Sequence, residues 1–370
     1  MKTIQPRRIG VEEGLKTGLR NFWHPIYQAE KLTDKPLGIK RLGEDLVLWR
    51  DGEGKAQCFV DVCPHRGAKL SLGRIIDGTL NCWYHSFQFD STGQCLAVPT
   101  DGEDSKLARR TRVRAYPTEE RGGLIWAYIG DTELFPAPPL VIPREMEAPD
   151  WTGFIFEAEW ETSWLLVMDN LADVMHAPHL HARSYTLSRG LRHDVLKVVE
   201  TEDGFTVERE KQKGVNFDWA EFHNSGTLWF RLDIPYPWSA GPGGPMRILG
   251  FSTPIDGDKC IVYFVRMRHV SGWQRALWRN LYKVRLENKS FQVVEHDRLI
   301  LESQRGLKSR LSEHLAQADI GVIRLRKLLN QEYARQQAIY NQAMEKSVNE
   351  AIESPPSSAE ADAQETAAQV

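Results

Sequence analysis

The chain has 370 residues, of which 41% are hydrophobic and 26% charged, and its formal net charge is −3. These values are ordinary for a globular protein, and they exclude a nucleic-acid binder that relies on bulk positive charge. The length exceeds the usual size of one hydrophobic core, so two domains are expected. Because neither a secretory h-region nor a membrane-length apolar run is found, the sequence predicts a cytoplasmic protein.

Residues 20–135 predict a small all-β domain. Short alternating runs are broken by turn residues, with strands expected at Ile39–Leu42, at Leu46–Arg50 and in GGLIWAYIG. The proline-rich segment FPAPPLVIPREMEAPD, residues 135–150, then indicates a linker.

Residues 136–347 predict a second domain that mixes strands and helices. MRILGFSTPI and KCIVYFVRMRHV read as antiparallel partners around a DGD turn, whereas WLLVMDNLADVMHA has helical spacing. A long helix is expected from about Leu311 to Ser347, followed by a polar tail at 348–370 that is expected to be disordered. The fold class is therefore α+β.

Two cysteine–histidine pairs lie close together in the first domain. The pattern is Cys63-x-His65, sixteen intervening residues, then Cys82-x-x-His85. Two cysteines and two histidines would also satisfy a structural zinc, but mixed zinc sites usually group like ligands. In a two-iron cluster, two thiolates can bind one iron and two imidazoles the other. Each loop must then supply one cysteine and one histidine, as both loops do here. The spacing thus favours a Rieske [2Fe–2S] centre over zinc. The other cysteines are interpreted as small buried hydrophobes, namely Cys58, Cys95 and Cys260.

A second group of polar residues lies in DNLADVMHAPHLH, residues 169–181. Asn170, Asp173 and His176 follow one another at i, i+3 steps, so a continuous helix would present them on one face. His181 is five residues beyond His176 and would point elsewhere on a straight helix.

Pro178 disfavours helix at Ala177, and the resulting bend is expected to let the imidazoles of His176 and His181 converge. Two imidazoles and one carboxylate form the facial triad of non-haem Fe(II) oxygenases. His179 could also bind a metal, but we interpret it as a pocket-lining or solvent-facing histidine.

The carboxylate must come from elsewhere in the chain. VVEHDRLILESQ offers Glu295, Asp297 and Glu302 in an apolar helical segment, where a buried acid needs a compensating cation. Spacing alone does not choose among the three.

Four blocks together resemble the terminal oxygenase (alpha) component of Rieske non-haem iron aromatic ring-hydroxylating oxygenases. These blocks are NFWHPIYQAEKL, CPHRGAKLSLG with CWYHSFQFD, DNLADVMHAPHLH, and HDRLILESQ. The resemblance is to the short group that includes dicamba, vanillate and caffeine demethylases. It implies an N-terminal Rieske domain, a helix-grip (START-like) catalytic domain with an antiparallel sheet and a long C-terminal helix, and a head-to-tail trimer.

The resemblance also implies ligands. The cluster ligands would be Cys63, His65, Cys82 and His85, and the mononuclear Fe(II) ligands would be His176, His181 and Asp297. Asp297 is selected because the family's ligand aspartate precedes a glutamate by five positions, as Asp297 precedes Glu302. Asp173 matches a catalytic aspartate that links an iron-ligand histidine to a cluster histidine of the next subunit.

Three positions depart from the family pattern. Trp83 and Ser86 replace the usual proline and glycine of the second cluster loop, and His296 stands where relatives often have an acid. Hydrogen bonds around a cluster tune its potential, so the first two changes bear on the choice of electron donor.

The implied activity is oxidation with O2 as co-substrate. Because no dinucleotide fingerprint is found, electrons would come from a separate NAD(P)H-dependent reductase, possibly through a ferredoxin. Hydroxylation or oxidative demethylation of a small aromatic or heterocyclic compound is the main hypothesis. Ring cis-dihydroxylation is the first alternative, and a Rieske electron carrier without catalysis is the second. LWFRLDIPYPW and KCIVYFVRM are candidate pocket-lining strands.

Overall fold

The N-terminal part of the chain is built from small antiparallel sheets. The computed structural model describes residues 6–102, 105–184, 189–234 and 243–353. A three-stranded sheet has the order β1-β11-β10, and two four-stranded sheets have the orders β2-β3-β4-β9 and β5-β6-β7-β8. The strands are β1 Phe22–Gln28, β2 Leu37–Arg41, β3 Glu44–Arg50, β4 Ala56–Val60, β5 Arg74–Ile76, β6 Thr79–Asn81, β7 Gln88–Phe89, β8 Cys95–Ala97, β9 Ala115–Tyr116, β10 Thr118–Arg121 and β11 Leu124–Ile129.

The second part is one large antiparallel sheet with helices. The sheet has seven strands in the order β12-β18-β17-β16-β15-β14-β13. Its strands are β12 Trp151–Trp160, β13 Leu196–Glu200, β14 Gly204–Arg209, β15 Trp219–Asn224, β16 Leu228–Ile234, β17 Met246–Pro254 and β18 Cys260–His269. The helices of the whole chain are α1 Pro6–Leu15, α2 Lys106–Arg110, α3 Trp164–Ala172, α4 Ala177–Leu180, α5 Gly272–Leu281, α6 Glu287–Glu302 and α7 Ile320–Glu353, with a π-helical segment, Tyr282–Leu286, joining α5 to α6.

Strand β18 shows why the sheet separates two cores. Its side chains alternate between faces, as in any strand. Val262 and Phe264 pack with α3, α6 and α7, whereas Tyr263 and Val265 pack with the linker and with Trp126 of the first domain. Both faces are therefore covered, which explains why this strand reads as a continuous apolar run.

The predicted α+β architecture is confirmed, and the predicted strands are found with shifts of one or two residues at their ends. The long helix begins at Ile320 rather than near Leu311, since short 3-10 turns fill Gly306–Leu311 and Gln317–Asp319. It extends to Glu353, past the expected end at Ser347. The rest of the predicted tail lies outside the described residues. Within the described residues, none of the helices is long and apolar enough to span a membrane.

The largest correction concerns WLLVMDNLADVMHA. The predicted helix through Met175 ends at Ala172, so Asn170, Asp173 and His176 do not share one helix face. The Asp173 carboxylate accepts the backbone N–H groups of Met175 and His176, at 2.7 and 3.2 Å. This local hydrogen bonding competes with the helical pattern and ends the helix. Pro178 is not the breaking residue, because it lies in the first turn of α4, where proline is tolerated.

Helix α3 is joined to the C-terminal segments by one acid. Asp169 accepts from Arg310 at 2.6 Å and from Arg326 at 2.7 Å, and all three side chains are largely buried. We predict that Asp169→Asn lowers the free energy of unfolding by about 3 kcal/mol, because it removes the carboxylate that two buried cations share and leaves Arg310 with Glu12 and Arg326 with Glu313 alone. Glu200→Gln is the matched control, since it breaks the exposed pair with Arg324 and should change stability by less than about 1 kcal/mol. Denaturant titration measures both, and equal losses would contradict the prediction.

Candidate metal centres

The four cysteines and histidines of the first pattern lie on two loops with the same backbone design. In the first loop, the N–H of Cys63 donates to the carbonyl of Ala68 at 2.7 Å, and the N–H of Gly67 donates back to Cys63 at 2.9 Å. In the second, Cys82 donates to Phe87 at 2.9 Å and accepts from Ser86 at 3.0 Å. Each turn thus fixes the direction of one thiol and one imidazole.

The thiols lie inside the domain and the imidazoles lie toward its surface. Cys63 and Cys82 are buried, whereas His65 is exposed and its ring centroid is 4.5 Å from that of His85. Phe87 stacks on the His65 ring at 4.6 Å and supports it from below. An arrangement of this kind would bury one metal and leave the other near solvent, where an electron-transfer partner can approach.

The donor groups fit a bound cluster. Burial raises the pKa of the Cys63 thiol to about 11, and the adjacent Cys82 thiol also acts to raise it. Two neighbouring buried thiolates therefore need a cation between them. Partial burial and the nearby His65 and Arg66 lower the pKa of His85, which favours the neutral, metal-binding form of the imidazole. The buried Nδ1 atom of His85 has no hydrogen-bond partner among the described residues, so a metal can occupy that position.

The second loop keeps its shape at the expense of backbone strain. Gly67 has φ +72°, and Ser86 occupies the equivalent place with φ +56°. The left-handed region costs an L-residue about 1–2 kcal/mol. The replacement of the family's usual glycine therefore leaves the fold of the loop unchanged and puts strain beside the cluster.

The second candidate centre begins at the break after α3. The backbone carbonyl of Asp173 lies 2.5 Å from Nδ1 of His176, so this nitrogen donates and Nε2 carries the free lone pair. Nε2 lies 3.5 Å from Oδ1 of Asp297, and Nε2 of His181 lies 3.3 Å from the same oxygen. One donor atom from each of the three residues lies within 4.8 Å of the others. This donor set, two imidazoles and one carboxylate, suits Fe(II).

Burial at His181 supports a bound metal. The side chain is 0% exposed, and neither ring nitrogen has a hydrogen-bond partner among the described residues. Buried polar atoms normally have partners, so this orphaned pair is unusual. Nε2 faces Asp297, and a cation between them would satisfy it. The ring of His296 stacks on His181 with centroids 5.8 Å apart, and the side chain of Asn170 lies 3.4 Å from Oδ1 of Asp297.

The structure separates Asp297 from the two glutamates of the same helix. Asp297 shares the buried face of α6 with Val294 and Leu301, at the i, i+3, i+7 spacing of a helix face. Glu295 and Glu302 lie on another face, and both pair with Arg298. Only Asp297 of the three is grouped with the histidines.

Two further candidates, His179 and Asp173, lie around this group. Nε2 of His179 lies 3.0 Å from the carbonyl of Arg192 and is on the exposed side of α4, away from the three donors. The Asp173 carboxylate is partly exposed, with Oδ2 3.9 Å from Nδ1 of His176. Its intersubunit role stays a prediction.

An apolar cluster that the sequence did not indicate lies beside His176. Phe217 meets the His176 ring edge-on, with centroids 5.8 Å apart. It packs with Ala177, Leu232, Ile234 and Met246. Of the two strands predicted to line the pocket, β16 contributes Leu232 and Ile234 to this cluster, whereas the apolar residues of β18 pack into the two larger cores. Residues 235–238 of the predicted lining lie outside the described part of the chain. Phe217 lies in an irregular loop and has no periodic pattern that could have revealed it.

Two family models match successive parts of the chain. Residues 22–117 match the Rieske [2Fe-2S] domain, and residues 160–335 match the vanillate O-demethylase oxygenase C-terminal domain. A cluster-binding domain and an oxygenase domain on one chain define the class. The chain belongs to the Rieske oxygenases, and membership implies a [2Fe–2S] cluster, a mononuclear iron and O2 as co-substrate.

The chain is similar in sequence to oxygenase subunits and to two chloroplastic proteins. The vanillate O-demethylase oxygenase subunit of Pseudomonas sp. is 36% identical over 169 residues, which cover 45% of this chain and 46% of that protein. The phenoxybenzoate dioxygenase subunit alpha of Ectopseudomonas oleovorans is 28% identical over 356 residues, which cover 89% of this chain and 84% of that protein. The chain spans only 38% and 39% of the two chloroplastic TIC 55 proteins, of Pisum sativum and Arabidopsis thaliana.

Solved structures share the fold. Pseudomonas putida CBB5 NdmA has a TM-score of 0.72 at 22% identity, covering 88% of this chain and 94% of that one. Dicamba monooxygenase bound to dicamba has a TM-score of 0.67 at 23% identity, and the match covers 86% of this chain and 98% of that one. At these identities the likeness concerns the fold, and the fold predicted from the resemblance is confirmed.

The arrangement of α6 leads to a prediction about Asp297. Asp297→Ala should reduce mononuclear iron to near zero while leaving the cluster absorption intact, because it removes one of three donors in a buried site. Glu302→Gln is the matched control on the same helix and should keep the iron, since its partners are Arg298 and the N–H of Glu161. Iron analysis with visible spectra checks both. Iron loss in Glu302→Gln with iron kept in Asp297→Ala would show that Glu302 is the ligand and Asp297 is not.

The strain at Ser86 leads to another prediction. Ser86→Gly should stabilise the cluster domain by up to about 1 kcal/mol, since relief of the left-handed strain exceeds the added freedom of glycine in the unfolded chain. Gly67→Ser is the reciprocal control, because a Cβ at Gly67 would meet nothing within 4 Å and only strain is added. The temperature at which cluster absorption is lost should rise in the first variant and fall in the second. Shifts in the same direction would contradict this account.

Proposed function

We propose that this chain is the terminal oxygenase of a multicomponent Rieske system. It would use O2 and electrons from an NAD(P)H-dependent reductase to hydroxylate or oxidatively demethylate a small aromatic or heterocyclic compound. The observation that carries the proposal is the buried group of His176, His181 and Asp297 on a chain that also has two cluster loops. An electron carrier without catalysis would not need that group.

The proposal assigns ligand residues to each metal centre. The cluster would be held by Cys63, His65, Cys82 and His85, and the iron by His176, His181 and Asp297. The iron, when bound, supplies the redox chemistry that activates O2. The protein orients the ligands: the Asp173 carbonyl fixes the tautomer of His176, and Asn170 lies within reach of the Asp297 carboxylate.

The apolar cluster beside His176 supports an apolar substrate. Phe217, Leu232, Ile234 and Met246 are buried apolar side chains, and they would exclude water and receive an apolar ring. Vanillate and dicamba O-demethylase components are among the relatives, which supports demethylation. The phenoxybenzoate dioxygenase subunit matches along most of both chains, so ring cis-dihydroxylation is kept as the second candidate.

Assembly and electron supply are part of the same proposal. The separate partners would be a reductase and possibly a ferredoxin. A head-to-tail trimer would bring His65 or His85 of one subunit to Asp173 of the next, and the exposure of His65 and the partial exposure of Asp173 support such a contact. The proposed domains are 20–135 and 136–347, ranges that contain the two family matches. The cytoplasmic location stays a prediction.

The activity can be tested with a surrogate reductase, NADH and O2. The probes are vanillate, dicamba and caffeine, measured against a substrate-free reaction and against Asp297→Ala. We expect probe-dependent oxygen uptake and release of formaldehyde in the wild type only. A cis-diol product from an aromatic probe would support the second candidate. Equal oxygen uptake in the wild type and in Asp297→Ala would contradict an oxygenase that works at this site.

A further inference from the structure

A buried polar network lies behind the turn that presents His176. Arg209, the last residue of β14, is fully buried. Its Nη2 donates to the carbonyl of Val174 at 2.7 Å, and its Nη1 donates to the carbonyl of Leu191 at 2.8 Å and to Oε1 of Gln212 at 2.9 Å. Val174 lies between Asp173 and His176, so this guanidinium fixes the main chain of the ligand turn to the large sheet.

Gln212 extends the network toward the apolar cluster. Its Oε1 accepts from the N–H of Leu191 at 2.6 Å as well as from Arg209. Its Nε2 donates to the carbonyl of Asn216 at 2.6 Å and to Oδ1 of Asp218 at 2.8 Å. Two donors and two acceptor positions are all that an amide side chain offers, so the hydrogen-bonding capacity of this buried glutamine is fully used.

The two residues that Gln212 holds flank Phe217. Phe217 has φ +50°, which is a strained conformation for a large side chain. Strain of this kind persists only where the surroundings impose it, and it is concentrated at functional sites. Here the Asn216 carbonyl and the Asp218 carboxylate are tied to Gln212, and the Phe217 ring is thereby directed edge-on at His176, 5.8 Å away.

The network therefore reaches His176 by two routes. One is the main chain at Val174, and the other is the ring of Phe217. Gly190 lies between the network and α4, since a Cβ added there would lie 3.2 Å from Oε1 of Gln212 and 3.5 Å from Cβ of Pro178. Glycine thus lets the network approach the helix between the two histidine ligands.

Burial lowers the pKa of Arg209, and the nearby carboxylates of Asp194, Asp218 and Asp173 act to raise it. Asp194 accepts the backbone N–H groups of Val195, Lys211 and Gln212, and these bonds together with the charge of Arg209 lower the pKa of Asp194 despite its burial. Nε of Arg209 has no hydrogen-bond partner among the described residues. A buried cation with an unsatisfied donor is an expensive way to hold a loop, which points to a role beyond stability.

We propose that Arg209 and Gln212 are positioning residues for the iron ligand His176, holding its turn and the Phe217 ring in one arrangement. This inference rests on the proposed function only in taking iron as the metal at that site. The alternative is a network that stabilises the fold and leaves the metal unaffected.

The test compares Arg209→Lys with Arg41→Lys. Lysine keeps the charge but cannot bridge three acceptors with a planar fork. Arg41 is the matched control, because it is also buried and donates to two backbone carbonyls, those of Ile26 and Lys40, in the first domain. The measurements are the Fe(II) dissociation constant by chelator competition, the electron paramagnetic resonance spectrum of the ferrous site with nitric oxide as probe, cluster absorption, and the thermal midpoint.

Arg209→Lys should weaken Fe(II) binding by about 10–100-fold and alter the nitric oxide spectrum, as loss of ligand-supporting contacts does elsewhere. Arg41→Lys should lower the thermal midpoint with wild-type iron affinity. Gln212→Met keeps the size of the side chain and removes its hydrogen bonds, so it should behave like Arg209→Lys. It serves as the second test if Arg209→Lys does not fold. Wild-type affinity and spectrum in a folded Arg209→Lys or Gln212→Met variant would overturn the positioning role. A wild-type protein that binds no Fe(II) at this site would overturn the proposed function itself.

Discussion

The candidate iron site depends on the break in the chain at Asp173. A helix continued through His176 would carry that imidazole away from His181, because five residues rotate a side chain well off the starting face. Instead, the Asp173 carboxylate accepts hydrogen bonds from the backbone N–H groups of Met175 and His176. The backbone carbonyl of Asp173 accepts a hydrogen bond from Nδ1 of His176. One residue thus ends α3, turns the main chain and selects the tautomer that presents Nε2 to the candidate iron site.

The surrounding layers convert this turn into a fixed geometry. The large sheet is covered on one face by α3, α6 and α7 and on the other by the linker and the first domain, so α6, which carries Asp297, packs on a sheet that is supported from both sides. Helix α6 directs Asp297 inward because Val294 and Leu301 require burial on the same face. The linker is held in turn by Glu145, a fully buried acid that contacts Arg231 and Arg247 from neighbouring strands.

Much of the fold and of the candidate site could be predicted from the sequence, and the reason differs from residue to residue. The cluster loops were predicted because ligand identity and spacing are local properties. The choice of Asp297 needed the family resemblance, although the apolar residues three before and four after it give a periodic signal for the same position. The end of α3 was missed, because a helical apolar pattern continues through Met175 while side-chain capping by Asp173 overrides it. Arg209, Gln212 and Phe217 could not be predicted, since their roles arise from contacts among loops that are distant in sequence.

The central claim is that one chain carries both a Rieske cluster and a separate mononuclear iron. Metal and acid-labile sulfide analysis of the purified, iron-loaded protein tests it most directly, with zinc measured in the same samples. The account predicts about three irons and about two sulfides per chain, a red-brown colour, and the selective loss of about one iron on mild chelation of the Fe(II). Stoichiometric zinc without sulfide would contradict the cluster, and about two irons that are lost together with the sulfide would contradict the second centre.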